Sequence, residues 1–153
     1  MKFNRLGNSD LQVSDVCLGT MTWGIQNTQQ DADEQMAFAL DKGVNFVDTA
    51  EMYPVPPNVD TYGDTERIIG NWISRNEAKR SDIVLMTKIA GSGLKYIRNA
   101  GPITADAIAN ALTYSLERLK TDYIDVYQLH WPNRVTPHFG KHWPDGADPT
   151  KTS

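Results

Sequence analysis

The amino-acid sequence predicts an α/β fold. Short apolar segments alternate with longer stretches of helical period, and the order strand–helix occurs three times before a fourth strand. The strands are apolar through their length, as parallel strands covered on both faces must be. Each then ends in a polar or glycine residue. The pattern fits either an open doubly wound sheet or part of a (βα)₈ barrel.

A small hairpin comes first. Gly7-Asn8-Ser9-Asp10 supplies the turn, flanked by Phe3, Leu6, Leu11 and Val13. Val16 to Thr20 is a short apolar strand with Gly19 near its end. A helix follows, for which Asp31 and Glu34 resemble a capping box. Met36, Ala37 and Leu40 are expected on its buried face, and Gly43 ends it. Val44 to Val47 is the next strand, apolar except at Asn45, and it runs into Asp48. A loop carrying Pro54, Pro56 and Pro57 leads to Gly63. The second helix sets Ile68, Ile69, Trp72 and Ile73 toward the core. Gly70 inside it costs about 1 kcal/mol against Ala, which predicts close packing at that position.

Ile83 to Met86 is the third strand and runs on to Lys88. A glycine-rich loop crosses to Thr104, a good N-cap. The third helix has the cleanest period: Ile108, Ala111, Leu112, Ser115, Leu116 and Leu119. Tyr123 to Leu129 is the fourth strand, ending in His130. Residues 132–153 contain Pro137, Gly140, Pro144, Gly146 and Pro149 and no periodic apolar face, so an irregular tail is expected.

The chain has 153 residues and a formal net charge of -4, with 40% hydrophobic and 22% charged residues. That balance suits a globular domain and argues against nucleic acid or an anionic membrane as partner. The N-terminus shows no signal peptide, and no segment reaches the ~18 apolar residues of a transmembrane helix. A cytoplasmic location is the expectation. Cys17, the one cysteine, is expected to be a small buried core residue.

The chemistry-bearing residues stand where the apolar strands give out: Asp48, Lys88 and His130 at strand ends, and Tyr53 in the loop after Asp48. The C-terminal ends of parallel strands are where both barrels and open sheets place their sites. Each residue alone has an ordinary explanation: a loop cap, a solvated terminus, a core histidine, loop packing. Together they form a titrating set of acid, base, phenol and imidazole. A phenol is a poor acid at neutral pH. An ammonium at ~4 Å, with an effective dielectric of ~20, is worth roughly 4 kcal/mol and lowers that pKa by up to about three units. A paired aspartate would keep the lysine charged, and an imidazole could orient a carbonyl oxygen. The set is a proton-delivery device beside an oxygen that becomes an alkoxide.

Four stretches carry a resemblance: Leu18-Gly19-Thr20-Met21-Thr22-Trp23-Gly24, Phe46-Val47-Asp48-Thr49-Ala50-Glu51-Met52-Tyr53, Gly63-Asp64-Thr65-Glu66-Arg67-Ile68-Ile69-Gly70, and Tyr123-Ile124-Asp125-Val126-Tyr127-Gln128-Leu129-His130-Trp131. From residue 3 to about 140 the chain resembles the aldo-keto reductase family, in its bacterial Tas-like subgroup near the potassium-channel β-subunits.

The resemblance implies a partial (βα)₈ TIM barrel: an N-terminal hairpin, the first four parallel strands and three helices. It implies Asp48, Tyr53, Lys88 and His130 as the catalytic tetrad. NADPH would reduce an aldehyde or ketone, with Tyr53 giving the proton. Gly19, Thr20, Met21 and Asp48 would lie by the nicotinamide and its ribose. Trp23, Tyr53 and Trp131 would line the substrate pocket, barrel-rim packing being the other reading of the two tryptophans.

In that family, loops after later strands hold most of the cofactor phosphates and the adenine. A barrel of ~250 residues cannot be made from 153, so the chain is expected to continue beyond Ser153. The isolated chain is then expected to be inactive and to self-associate through open barrel edges. A cofactor-sensing subunit of the channel β-subunit kind is the alternative function.

Two further signals are set aside. Gly91-Ser92-Gly93 fits neither nucleotide-loop pattern and reads as a flexible turn. His138 and His142 have helical metal spacing but flank Gly140, so no metal site is expected.

Overall fold

The computed structural model describes residues 1–134. The antiparallel hairpin pairs β1 (Phe3–Arg5) with β2 (Gln12–Ser14). A parallel sheet follows, in the order β3 (Cys17–Gly19), β4 (Phe46–Asp48), β5 (Val84–Ile89) and β6 (Val126–Leu129). Helices α1 (Gln29–Asp41), α2 (Asp64–Arg75) and α3 (Ala105–Leu119) are the crossovers. Strand order equals chain order, which is how a barrel is wound and not how a doubly wound sheet is. Pro132, Asn133 and Arg134 lie outside any helix or strand. The remainder of the predicted tail, with His138 and His142, lies outside the described residues.

The polar exception among the strands has a structural use. Asn45 Oδ1 accepts the Ser14 amide at 2.8 Å, and its Nδ2 donates to the Gln12 carbonyl at 2.9 Å. The side chain thereby ties the hairpin to the sheet.

Helix α1 starts earlier than Asp31. Thr28 is its N-cap, accepting from the Asp31 amide, while Asp31 Oδ2 accepts the Thr28 amide at 2.7 Å. The capping box is therefore Thr28–Asp31 rather than Asp31–Glu34: Asp31 lies within the first turn and reaches back. The buried face shifts accordingly to Ala32, Met36 and Ala39, and Ala37 is exposed. Gly43 does follow the helix end, with φ +78°. Thr104 caps α3 as expected, its Oγ1 accepting the Ala107 amide at 3.1 Å.

One core fills the space between helices and sheet, with Trp23, Met36, Val47, Ile69, Trp72, Ile73, Leu85 and Leu119 at its centre. Cys17 is exposed, contrary to expectation. By alternation it shares with Gly19 the face of the sheet turned away from the helices, and its strand has a neighbour on one side only among the described residues. Partial desolvation, then Asp48, pushes its thiol up to about 11, so it stays protonated at neutral pH.

The other edge is fastened by a buried ion pair. Arg80 Nη2 donates to Asp125 Oδ2 at 2.9 Å and to the Tyr123 carbonyl at 2.9 Å, and its guanidinium lies 3.8 Å from the Tyr123 ring centroid. The same Asp125 oxygen accepts the Leu85 amide at 2.9 Å. Asp125→Ala would strand a buried guanidinium and an amide together. Unfolding in urea should show a loss of about 3–5 kcal/mol; a loss within the scatter of surface substitutions would mean that the pair is not holding β6.

Candidate active site

Strand register decides which side chains share a face. Gly19 pairs with Asp48, Asp48 with Met86, Lys88 with Gln128. Side chains alternate along a strand, so Asp48, Lys88 and His130 all fall on the face away from the helices. Leu18, Val47, Leu85 and Tyr127 fall on the helix face. Lys88 stands two positions beyond the partner of Asp48, and His130 two beyond the partner of Lys88. This stagger is the strand tilt of a closing barrel.

The Lys88 ammonium is 2.6 Å from Asp48 Oδ1 and donates to the Thr49 carbonyl at 2.7 Å. It also lies 4.9 Å from the centroid of the Tyr53 ring. Lysine, aspartate and tyrosine are thus together, but the ammonium is spent on Asp48 and faces the ring rather than standing free beside the phenol. The Tyr53 pKa is accordingly raised, by burial first and by Asp48 second. The lowering expected from Lys88 is outweighed: burial disfavours the phenolate, and the Asp48 carboxylate adds to it.

The His130 ring meets Tyr53 edge-on at 5.6 Å and Trp131 at 5.1 Å between centroids. Burial, then Lys88, holds the imidazole down to about 4, so it is neutral at pH 7 and able to donate an N–H without carrying charge. The sign of the linkage follows. An unfolded imidazole titrates near 6.5 and the folded one near 4, so between these values the unfolded chain binds the extra proton. Stability should therefore fall as pH drops from about 6.5 to 4 and level off below. Thermal midpoints of wild type and His130→Gln across that window check it; equal pH slopes would exclude His130 as the source.

The remaining predicted residues divide. Met21 is half exposed and Gly19 exposed beside Asp48, so both border open surface. Thr20 is fully buried, and its hydroxyl donates to the Asp48 carbonyl at 2.7 Å. It braces Asp48 and has no side chain free for a cofactor. Trp23 is corrected out of the pocket: it is 1% exposed in the central core, with its indole N–H on Gln35 Oε1 at 2.9 Å. Trp131 does sit with Tyr53 in a second cluster that includes Ala50, Met52, Ala90 and Ile97. Its indole lies on Gly91, where a Cβ would come within 2.3 Å of Nε1, and donates to the Ser92 carbonyl at 3.1 Å. The Gly91-Ser92-Gly93 turn is therefore the seat of a tryptophan.

Sequence reasoning missed buried Glu51 and partly exposed Arg98, an ion pair at the same end of the sheet. A carboxylate set between Asp48 and Tyr53 in an otherwise apolar run was the available signal. No cluster of three or more metal-ligating side chains occurs among the described residues. No helix among them is long and apolar enough to cross a membrane.

Exposed Gly19 and Met21 beside an Asp48–Lys88 pair, with a neutral imidazole opposite, offer surface and donors that fit a nicotinamide riboside. A staggered parallel sheet in chain order, bearing acid, base, phenol and imidazole at its C-terminal end, defines the first half of an α/β barrel. The chain belongs to the aldo/keto reductase family, whose sequence model matches residues 15–149.

Among individual relatives, it is 43% identical to "Protein tas" of Escherichia coli (strain K12) over 153 residues, 96% of this chain and 44% of that protein. It is 37% identical to "Uncharacterized oxidoreductase YrpG" of Bacillus subtilis (strain 168), over 90% of this chain and 42% of that one. In structure it is similar to the aldo-keto reductase AKR11C1 from Bacillus halodurans (holo form), with a TM-score of 0.66 and 34% identity, covering 84% of this chain and 40% of that chain. The chain thus spans less than half the length of these relatives, and its sheet is a partial (βα)₈ barrel.

Proposed function

We propose that this chain carries the catalytic groups of an NADPH-dependent reductase of aldehydes or ketones. One observation carries the reading: Asp48, Lys88, Tyr53 and neutral His130 lie together at one end of the parallel sheet. When bound beside Gly19, Met21 and Asp48, the reduced nicotinamide supplies a hydride to the carbonyl carbon.

The chain's own residues handle the oxygen. His130 donates an N–H that fixes its direction. Tyr53 gives it a proton, which completes the alcohol and leaves a phenolate that solvent reprotonates. The raised Tyr53 pKa keeps the proton in place until it is needed. The transfer is still downhill, because an alkoxide is a far stronger base than a phenolate. Asp48 pairs with Lys88 and holds it in place. Trp131 and Tyr53 form the apolar wall for the substrate.

Titration of NADPH against the 153-residue protein, followed by nicotinamide fluorescence, tests the reading. Saturable micromolar binding with turnover of small aldehydes would place the activity in this chain; no binding would mean that the catalytic groups are present here without their cofactor and would overturn the reading for this chain. A second reading is a cofactor-sensing subunit, favoured by the raised phenol and by the pairing of Lys88 with Asp48. Tight binding with negligible turnover would select it.

Self-association belongs to the same proposal. Val16 and Phe38 are 53% and 66% exposed beside β3, and Leu129 at the end of β6 is 57% exposed. Both strands lack a second neighbour among the described residues. Sedimentation should show dimers or larger species, and a stable monodisperse monomer would remove this part.

A further inference from the structure

We propose that Glu51 and Arg98 are positioning residues for the reaction assigned above, on which this inference rests. The pair latches the segment after β5 to the loop after β4 and thereby holds Tyr53 against Lys88.

Glu51 lies between Asp48 and Tyr53 in sequence and is buried. Its Oε2 accepts the Ala90 amide at 2.8 Å, and its Oε1 pairs with Arg98 Nη1. Arg98 Nη2 donates in turn to the Ala90 carbonyl at 2.6 Å. One ion pair therefore grips both polar groups of a single residue, two positions past Lys88. The Glu51 amide donates to the Lys88 carbonyl at 3.0 Å, which ties the same two segments again. Next along the chain come Gly91 and Ser92, the seat of Trp131. The latch thus joins the loops that present Tyr53 and Lys88 and borders the seat of Trp131.

Arg98 is delivered by a turn that is costly by itself. Arg98, Asn99 and Ala100 have φ of 45°, 53° and 58°, a left-handed run of non-glycine residues. Such a run persists only where its surroundings hold it. Two charge-assisted bonds from Arg98 supply that hold. Ile97, just before the turn, is buried beside Tyr53 and Trp131, so the segment keeps an apolar anchor when the charge pair is cut. Removal of the pair should loosen alignment without unfolding the chain.

The test is NMR on the full 153-residue protein, with variants Arg98→Ala and the isosteric Glu51→Gln. In Arg98→Ala the Ala90 amide should exchange about 10- to 100-fold faster relative to that of Thr49, because its acceptor Glu51 loses the partner that holds it and the Ala90 carbonyl loses its own donor. The Tyr53 ring resonances should move in the same spectra, because the Lys88 ammonium now lies 4.9 Å from the ring centroid. Glu51→Gln, which keeps an acceptor for Ala90 but lacks the charge, should move Tyr53 with a smaller change at Ala90, and it decides the matter if Arg98→Ala fails to fold. Asn99→Gly relieves the turn without touching the pair and should leave both signals as in wild type.

Unchanged Ala90 exchange in Arg98→Ala would overturn the proposal. So would faster exchange with Tyr53 unmoved, since the pair would then be structural only. A shift of Tyr53 in Asn99→Gly would assign the effect to the turn and overturn it equally. Where the wild-type chain reduces an aldehyde, kcat should fall in both pair variants with KM held. Absence of turnover in wild type counts against the proposed function alone, and the NMR signals still decide the latch.

Discussion

Tyr53→Phe is expected to lower carbonyl reduction by about 10²–10⁴-fold while leaving cofactor binding and folding in place. The change deletes one oxygen from a residue whose other contacts are made by its ring. The ring is what faces the Lys88 ammonium at 4.9 Å and meets His130 edge-on at 5.6 Å. It also packs with Ala50, Met52 and Trp131, and none of that requires the hydroxyl. The lost function is therefore proton delivery alone. No neighbour replaces it well: the Lys88 proton is held by Asp48 and Thr49, and His130 is neutral down to pH about 4. Single-turnover reduction of a small aldehyde, with the chain in excess, reads the rate, and nicotinamide fluorescence reads binding. Unchanged turnover would remove Tyr53 from its role. Loss of binding in parallel would mean that the hydroxyl supports the cofactor rather than the proton.

Much of this site was legible because it depends on topology. Once Val44–Val47, Ile83–Met86 and Tyr123–Leu129 read as consecutive parallel strands, the residues ending them had to converge, and Asp48, Lys88 and His130 could be named from alternation alone. Gly70 was legible for a similar reason, since glycine inside an amphipathic helix asks for a close neighbour. What stayed hidden depends on partners distant in sequence. Asp125 meets Arg80 across 45 residues, and Arg118 meets Glu66 across 52. Hydrophobic period carries no record of such pairs. Trp23 illustrates the converse limit. Its motif position suggested a pocket wall, yet an indole in that place is large enough to fill the space between sheet and helices, and burial decided its use. The lowering of Tyr53 by Lys88 is outweighed by burial first and by Asp48 second, and a sequence does not tell how deeply a loop tyrosine is buried.

Gly70→Ala is expected to be strongly destabilising although it lies away from the site. A Cβ on Gly70 would stand 2.1 Å from the Arg118 carbonyl oxygen and 2.9 Å from the Leu119 carbonyl carbon. Both are backbone atoms of α3, so no side-chain rotation relieves the clash, and the two helices must part. The glycine is demanded by space, not by conformation, because it lies within regular α2. Its absence of side chain is what lets α2 and α3 touch backbone to backbone. Separation would also strain the neighbouring bonds of Glu66, whose fully buried carboxylate takes Arg118 Nε at 2.7 Å and Thr87 Oγ1 at 2.6 Å. Overpacking of this kind costs about 1–3 kcal/mol where the neighbour is yielding and more where it is not. A backbone neighbour coupled to a buried charge belongs to the second case, so the loss should exceed about 3 kcal/mol. Urea unfolding measures it, and the exposed Ala37→Gly serves as reference, costing about 1 kcal/mol from helix propensity alone. Equal losses in the two variants would mean that α2 and α3 do not approach as closely as these distances require.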